Sequence, residues 1–415
     1  MEWTHPMQIP QQGLPSQKTR SSVMRFVAFV LSLVFIFIIP WENAITIGEL
    51  GTLTRAIGLL MTALWVVKIL ATGKFRKPRP FHMMIFLFVG WNCMSTFWSL
   101  STPDTTQSMK TYLQLAGLTI ILWDLYDTPA ALRAALQAYV LGAYVSIGST
   151  VATYLAGNPI SELDLPRYAG AGLDANELAL ILTLGIPVAW HLAVSPVVGK
   201  KGYVLRVINY VYVPCALFAT MLTGSRMGLF TMIPGLLFIL GRSTQLKGPY
   251  MILVLGSLAV AALVLQPLIP QSSIDRLGTI GSSINERDLG GRVDLWRGII
   301  ATFSEHPFLG AGSGTLRASG EIGTVAHNTF LSVLAETGLI GLTVLVILLA
   351  MAAYQTLRKP IWGYGLWLTV LIDWTMGASA LTLERTKLTW LFLSLVVIGA
   401  SLGGERDKSS SVVAD

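Results

Sequence analysis

Residues 326–342 read AHNTFLSVLAETGLIGL, and this stretch decides how the rest of the chain is interpreted. A histidine and an amide, His327 and Asn328, stand directly before a long apolar segment. We therefore expect a membrane helix with this polar pair at its N-terminal end. On such a helix Gly338 lies roughly 16 Å beyond His327. Gly338 and Gly341 stand three residues apart, a spacing that lets another backbone approach closely.

Two interpretations of this stretch follow from the residues alone. In the first, a reactive histidine is mounted at the membrane surface on a tightly packed helix. In the second, His327 is an ordinary interfacial histidine beside glycines that serve only packing. The rest of the chain is needed to choose between them.

The composition of the 415 residues indicates a membrane protein. Hydrophobic residues make up 53% and charged residues only 12%, which is too little charge for a soluble protein of this length. Apolar runs of about twenty residues recur from end to end, and the alternating strands of a membrane barrel are not seen. The sequence predicts an all-α polytopic membrane protein with about 12 transmembrane helices and a large periplasmic loop that contains short amphipathic helices.

The predicted spans divide the chain into membrane segments, one long loop and two tails. The spans cover residues 23–39, 51–71, 81–100, 109–125, 130–155, 176–194, 207–223, 227–240, 250–265, 327–354, 362–380 and 386–402. The corresponding domains are a disordered cytoplasmic tail at 1–22, spans 1–9 at 23–265, the loop at 266–326, spans 10–12 at 327–403 and a second cytoplasmic tail at 404–415. We expect neither a cleaved signal peptide nor a structural disulfide, since both cysteines fall inside apolar spans.

The distribution of the net charge of +7 predicts membrane orientation and gives no indication of nucleic-acid binding. Short connections on one side are rich in lysine and arginine, as in the run from Lys74 to Arg79, whereas the opposite connections carry mostly acids, such as Glu42 and Asp104. The positive-inside rule therefore places both termini in the cytoplasm and His327 on the outer side. We expect a multi-pass protein of the bacterial inner membrane whose long loop lies in the periplasm.

Several cations lie on the predicted outer side, against this bias. They are Arg167, Arg226, Arg276, Arg287, Arg292, Arg297, Arg317, Arg385 and Lys387. Guanidinium groups above a membrane cavity suit an anion, because their planar fork matches phosphate oxygens. Contact with lipid headgroups or acidic neighbours stays an alternative for any one of them. This alternative explains Arg226 least well, because Arg226 begins an apolar helix and its charge needs a partner there.

The long loop contains one helical segment and a glycine-rich turn. Arg292 and Trp296 stand four residues apart, with Ile299 and Ile300 on the same face, and the helix is expected to end near His306. This length suits an amphipathic helix on the outer surface. The glycines that follow are not preceded by a strand or followed by Lys-Ser/Thr, so a nucleotide site is not expected. The five scattered histidines lack the spacing of metal ligands.

Motifs in this order resemble the O-antigen ligase and O-antigen polymerase superfamily. The matching elements are His327-Asn328 with Gly338 and Gly341, Gly224-Ser225-Arg226-x-Gly228, Arg292 with Trp296 and His306-Pro307-x-x-Gly310-x-Gly312, and Arg167-Tyr168-Ala169-Gly170 with Asn176. The last of these departs from the pattern, because Ala175 stands where a proline is usual before the asparagine.

The resemblance implies a membrane-embedded glycosyltransferase with a fold like that of type C glycosyltransferases. Such an enzyme takes a glycan from undecaprenyl diphosphate at the periplasmic face and is surrounded by membrane lipids. It needs no nucleotide, metal or other cofactor. It implies that Arg226 and Arg292 bind the diphosphate and that His327 acts near the acceptor hydroxyl. The further substrate contacts that we expect are Arg167, Ser225, Arg297, Asn328 and Arg385.

Three functions remain open. The ligase branch of the superfamily would place the glycan on the lipid A–core oligosaccharide, and the chain's length and single long loop favour it. The polymerase branch would extend a lipid-linked repeat of O-antigen or exopolysaccharide. A transporter of lipid-linked glycans is disfavoured, because the candidate groups lie at the outer edge and not at mid-membrane.

Overall fold

The computed structural model describes residues 17–48, 51–160, 166–196, 199–243, 248–278, 292–317, 325–358 and 360–412. Within these ranges the protein is helical apart from a small antiparallel pair, β1 (Thr46–Ile47) and β2 (Gly51–Thr52). The helices in chain order are α1 (Gln17–Ile38), α2 (Leu53–Thr72), α3 (Pro80–Met94), α4 (Thr102–Leu125), α5 (Pro129–Leu155), α6 (Ala175–Val194), α7 (Gly199–Leu222), α8 (Arg226–Ser243), α9 (Gly248–Leu265), α10 (Gln271–Gly278), α11 (Arg292–Glu305), α12 (Thr329–Leu357), α13 (Tyr364–Ala378) and α14 (Lys387–Val412).

Each of the twelve predicted spans falls on one long helix, and the protein is an all-α polytopic membrane protein. In the described part of the chain, seven segments are long and apolar enough to cross a membrane: α1 with the short turn after it, α2, α5, α6, α7, α12 and the first part of α14. The helices α3 and α13 have 15 residues each, fewer than the roughly twenty that a straight span needs.

Several helices are longer than their apolar runs, which corrects the predicted boundaries. The stretch 101–107, which lies between the predicted spans 3 and 4, contains the first turns of α4, where a proline and Asp104 both suit a helix start. The connection between the predicted spans 6 and 7 is in large part the beginning of α7, which starts at Gly199. Helix α1 begins at Gln17 and α14 continues to Val412, so helical structure extends into both predicted tails. Hydropathy detects only the apolar part of a helix, and polar turns can continue it.

Helix α6 forms the centre of the bundle. Most of its residues are buried, and it packs against α5, α7, α8 and α13. A helix that is apolar on every side must be covered on every side by other helices or by lipid, and here the cover is protein. The first turn of α6 is therefore held in a fixed place, and the residues around it can be positioned accurately.

Helix α12 is interrupted at Gly338, where the backbone has φ 67° and ψ −171°. In an unbroken helix the carbonyls of Ala335 and Glu336 would accept hydrogen bonds from residues four positions later. Here they accept from the N–H groups of Ala311 and Gly312, both at 2.9 Å. The glycine-rich turn of the long loop thus supplies the hydrogen bonds that the helix loses.

The other side of this break is satisfied by the same loop. The N–H of Leu339 donates to the carbonyl of Pro307 at 2.9 Å. A Cβ at Gly338 would overlap the carbonyl oxygen of Phe308, and one at Gly310 would overlap the backbone of Glu336. Gly338 therefore admits another backbone, but that backbone belongs to the loop and not to a neighbouring membrane helix. A Cβ at Gly341 would instead meet the side chains of Thr337 and Trp91, so the expected backbone approach is not found there.

Candidate active site

The start of α6 is capped by an acidic residue. Asp174 Oδ1 accepts hydrogen bonds from the N–H groups of Asn176 at 2.8 Å and Glu177 at 3.4 Å. Aspartate is among the residues that favour this position, because its carboxylate satisfies N–H groups that have no partner within the helix. The cap fixes the Asp174 carboxylate at the end of the bundle where α12 begins, which we call the His327 end.

The side chain of Asn176 connects three segments at this end. Its Oδ1 accepts from the guanidinium of Arg167 at 2.9 Å and from the hydroxyl of Ser225 at 2.8 Å. A second nitrogen of Arg167 donates to the carbonyl of Thr223 at 3.0 Å. Arg167 and Ser225, expected to contact substrate, are therefore bound to protein groups that hold the turn before α8 against α6.

Ser225 also places Arg226 at the first position of α8. Its hydroxyl accepts from the N–H of Gly228 at 3.1 Å, which caps the helix. A Cβ at Gly228 would lie 2.7 Å from the Cβ of Ala179, so α8 passes α6 closely at this level. The glycine-serine-arginine motif is thus a capped helix start pressed against the first turns of α6.

Helix α11 brings Arg292 to the same end of the bundle. Trp296 donates from its indole nitrogen to the carbonyl of Ala326 at 3.1 Å, directly before His327. Ile299 is 1% exposed and packs in a small apolar cluster that includes Ala326. The expected helical face is formed except for Ile300, which is 50% exposed. The helix lies against α12, and this packing sets the position of Arg292 relative to His327.

His327 precedes α12 and is not part of it, which corrects the predicted start of span 10. Its φ of 48° is in the left-handed region, where residues other than glycine are uncommon and often belong to functional sites. Asn328 is the N-cap and accepts from the N–H of Leu331 at 3.0 Å, while its amide donates to the carbonyl of Ser379 at 3.0 Å. Asn328 thus holds the residue next to it in a fixed, unusual conformation.

The charges around His327 show which groups the fold brings together. Burial lowers the pKa of the His327 ring below its ordinary value, Arg292 lowers it further and Asp174 acts in the opposite direction. Burial likewise lowers the pKa of Arg292, Asp174 opposes this, and Arg226 contributes to the lowering. Arg292 is therefore within electrostatic range of His327, Asp174 and Arg226, and His327 is within range of Asp174. His327 is neutral at neutral pH, and its buried Nδ1 has no hydrogen-bond partner within the described ranges.

The chain is similar to known O-antigen ligases. The family profile described as O-antigen ligase matches residues 211–346, which contain the α8 start, Arg292 and His327. An O-antigen ligase of Pseudomonas aeruginosa is 25% identical over 318 residues, covering 74% of this chain and 73% of that protein. The two matches support membership of the O-antigen ligase family. It is, in general terms, a multi-pass membrane enzyme that transfers glycans, and the resemblance inferred from the motifs is confirmed.

Two arginines that we expected at the ligase-family site lie in other interactions. Arg297 is exposed and pairs with Asp294 at 2.7 Å, one turn away on α11. Arg385 is buried, with Glu336 and Glu384 each 3.3 Å from its guanidinium. Burial alone would lower the pKa of Arg385, but the two carboxylates raise it above its ordinary value. The side chains of Arg276, Arg287 and Arg317 lie outside the described residues.

Two acidic residues in this region, Asp174 and Glu336, were not predicted from the sequence as parts of the site. Asp174 stands before Ala-Asn-Glu at the start of a predicted span, which is a recognisable helix-cap position. Glu336 is an acid inside the predicted span 10, and an ionisable residue in an apolar run is itself a signal. Motif matching passed over both because neither belongs to a quoted motif.

Proposed function

We propose that the protein transfers a glycan from undecaprenyl diphosphate to the lipid A–core oligosaccharide at the periplasmic face of the inner membrane, with both termini in the cytoplasm. The observation that carries this proposal is the convergence of four groups, one from each of four helix starts. They are Asp174 at α6, Arg226 at α8, Arg292 at α11 and His327 at α12.

This arrangement suits a diphosphate. Helix N-termini carry a partial positive charge that favours phosphate oxygens, although side-chain caps already bind N–H groups at the starts of α6, α8 and α12. Arg226 and Arg292 add two full charges whose geometry fits phosphate. Burial is the main cause of the lowered pKa of Arg292, Asp174 opposes the lowering and Arg226 adds to it. Two cations that are close enough to affect each other favour a strongly anionic ligand.

The same groups can carry out the transfer. The acceptor hydroxyl attacks the anomeric carbon of the glycan, and its oxygen forms the new bond while His327 takes its proton. The bond from the anomeric carbon to the phosphate oxygen breaks, and its electron pair remains on the leaving diphosphate. Because negative charge grows there as the bond breaks, the two arginines stabilise the transition state more than the ground state. Attack from the face opposite the diphosphate inverts the anomeric centre, and the arginines provide the positive charge that this leaving group requires.

Other residues have supporting roles in this proposal. Arg167, Ser225 and Asn328 position Arg226 and His327 through the hydrogen bonds described above. Arg385 holds the interrupted part of α12 and contributes indirectly. Arg297, which is exposed near the start of α11, is a candidate contact for the glycan.

The proposal is tested by transfer in vitro. The purified protein receives a glycan linked to undecaprenyl diphosphate, with lipid A–core in one tube and only lipid-linked repeats in another. A high-molecular-weight ladder on lipid A–core is the expected result. Chain growth in the second tube alone would identify a polymerase and overturn the proposed acceptor. Product in neither tube, together with movement of the glycolipid across liposome membranes, would identify a transporter.

A further inference from the structure

Asp174, Arg226, Arg292 and His327 are called the arginine cluster below. A cavity of about 650 Å³ opens near the arginine cluster but is not part of it. Its walls are α1, α2, α4, the first turn of α6 and residues 385–387. Arg226, Arg292 and His327 do not line it. We call it the α2–α4 cavity.

The lining of the α2–α4 cavity changes from polar to apolar along its length. Arg55 and Lys110 line it nearer to the helix starts, whereas Met61 and Leu118 line it deeper in the bundle. Lys110 and Leu118 are eight residues apart on α4, which corresponds to about 12 Å along the axis. A polar mouth above an apolar floor fits an amphiphile whose charged group lies at the membrane surface and whose chain enters the membrane.

The polar mouth carries more positive charge than its own acids neutralise. Four cations line it, Arg55, Lys110, Arg385 and Lys387, with two carboxylates, Glu42 and Glu177. Lys387 pairs with Glu42, and Arg385 is held by the buried acids described above. Arg55 and Lys110 are exposed, and neither makes an ion pair or a side-chain hydrogen bond to another described residue. Two cations are thus available for a ligand.

We propose, on the basis of the proposed function, that the α2–α4 cavity binds the acceptor, an amphiphilic glycolipid that carries phosphate groups. In the proposed function the arginine cluster holds the diphosphate of the donor. The polyprenyl chain of the donor is uncharged and would not interact favourably with Arg55 and Lys110. A second set of cations therefore calls for a second anionic substrate. Glu177 lines the cavity from the first turn of α6, whose cap Asp174 belongs to the cluster. The cavity and the cluster are therefore neighbours at this helix start, and in this proposal the acceptor reaches His327 across the first turn of α6.

Removal of the available charge tests this proposal. In the double variant Arg55→Gln/Lys110→Gln, the KM for lipid A–core should rise about tenfold or more, as expected for lost charge-assisted hydrogen bonds. The KM for the donor and the kcat should stay near the parental values. The control Lys200→Gln/Lys201→Gln removes the same charge from exposed positions at the start of α7, outside the cavity, and should behave as the parent.

Blocking the apolar floor provides a test that does not involve charge. Gly117 lines the cavity, and a Cβ there would meet no atom within 4 Å. Gly117→Leu should therefore fold and occupy space that the acceptor needs, with the same tenfold effect on the acceptor KM. Gly148 on α5 is equally open but does not line the cavity, so Gly148→Leu is the matched control.

A binding measurement separates this proposal from the proposed function. Native mass spectrometry of the full-length protein measures lipid A–core, undecaprenyl diphosphate and phosphatidylglycerol separately, without turnover. The expected result is that Arg55→Gln/Lys110→Gln loses lipid A–core and retains undecaprenyl diphosphate. Loss of undecaprenyl diphosphate binding would show that the cavity holds the donor, and loss of phosphatidylglycerol binding alone would show that it holds a phospholipid. Unchanged binding of all three lipids would show that the two cations form no lipid site. Each of these results would overturn the proposal. If transfer fails while lipid A–core binding depends on these cations, only the proposed function fails.

Discussion

His327 lies between opposing charges, because Arg292 disfavours its protonated form and Asp174 favours it. If the ring is the general base, its loss removes a factor of about 100 to 10,000 in rate. We expect His327→Ala to lower kcat by that amount while thermal unfolding and donor binding stay close to the parent. The measurement is single-turnover transfer with the purified protein. Transfer at the parental rate by a folded His327→Ala protein would refute the assignment.

The two neighbouring charges predict opposite shifts of the pH profile. Only neutral imidazole accepts a proton, so activity falls as pH drops through the pKa of His327. Arg292→Gln removes a charge that lowers this pKa, so the acidic limb should move to higher pH. Asp174→Asn removes a charge that raises it, so the acidic limb should move to lower pH. Profiles of kcat against pH for both variants test the pair, and shifts in the same direction would contradict this electrostatic account.

At the residue scale, the sequence predicted residue types better than their partners. Arg226, Arg292 and His327 were found by motif, and Arg292 interacts electrostatically with both of the others. Arg167 and Ser225 were also expected at the substrate, yet both bind Asn176. A sequence can place a guanidinium on a predicted side of the membrane, but the partner of that guanidinium depends on which loops meet in three dimensions. For the same reason no motif identified Asp174.

At the element scale, the interruption of α12 depends on a glycine. Gly338→Ala would place a Cβ against the Phe308 carbonyl in a left-handed conformation. We expect a loss of at least about 2 kcal/mol of stability, measured as a lower unfolding temperature in detergent, with transfer activity reduced in parallel. Gly90→Ala is the matched control, since its Cβ meets no atom within 4 Å and alanine favours a helix. Equal stability of the two variants would show that the interruption tolerates a side chain.

The buried ion pairs of Arg385 make a separate prediction. Arg385→Gln leaves Glu336 and Glu384 buried without a counter-charge, which typically costs about 3–5 kcal/mol. We expect a large drop in unfolding temperature, partly restored by adding Glu336→Gln. A stable Arg385→Gln protein with only a raised KM would instead place Arg385 in direct contact with substrate.

The helices were predicted well and their irregularities were not. Long apolar runs located all twelve long helices, because burial in lipid requires such runs. Polar extensions such as the start of α4 have no hydropathy signal. The break at Gly338 depends on hydrogen bonds from residues 307–312, about thirty positions earlier in the chain, and a local pattern cannot contain that information.

At the scale of the whole molecule, the orientation of the bundle can be measured directly. The exposed residues Arg297 on α11 and Lys201 on α7 are expected on opposite sides of the membrane. With Cys93 and Cys215 replaced, Arg297→Cys should react with a membrane-impermeant maleimide in spheroplasts. Lys201→Cys should react only after the membrane is opened. The reverse pattern would place the arginine cluster in the cytoplasm and exclude the proposed donor reaction.

The overall arrangement also shows why the centre of the bundle was not predicted. Helices α6 and α2 are both apolar, yet α6 is enclosed by protein and most of α2 is not. Lipid and protein interiors select for the same side chains, so hydropathy alone does not distinguish them. The sidedness of the charges supplied a separate criterion, since it directed attention to the arginines on the predicted outer side.

The shared hydrogen bonds between the glycine-rich turn and the interrupted α12 have a consequence for protein engineering. Neither segment satisfies its own backbone, so each is an incomplete unit without the other. A chimera that imports a relative's long loop to change sugar preference should therefore carry residues 307–312 and 335–340 from the same parent. Exchange of one segment alone would put the hydrogen bonds between the two segments at risk, however similar the imported loop is.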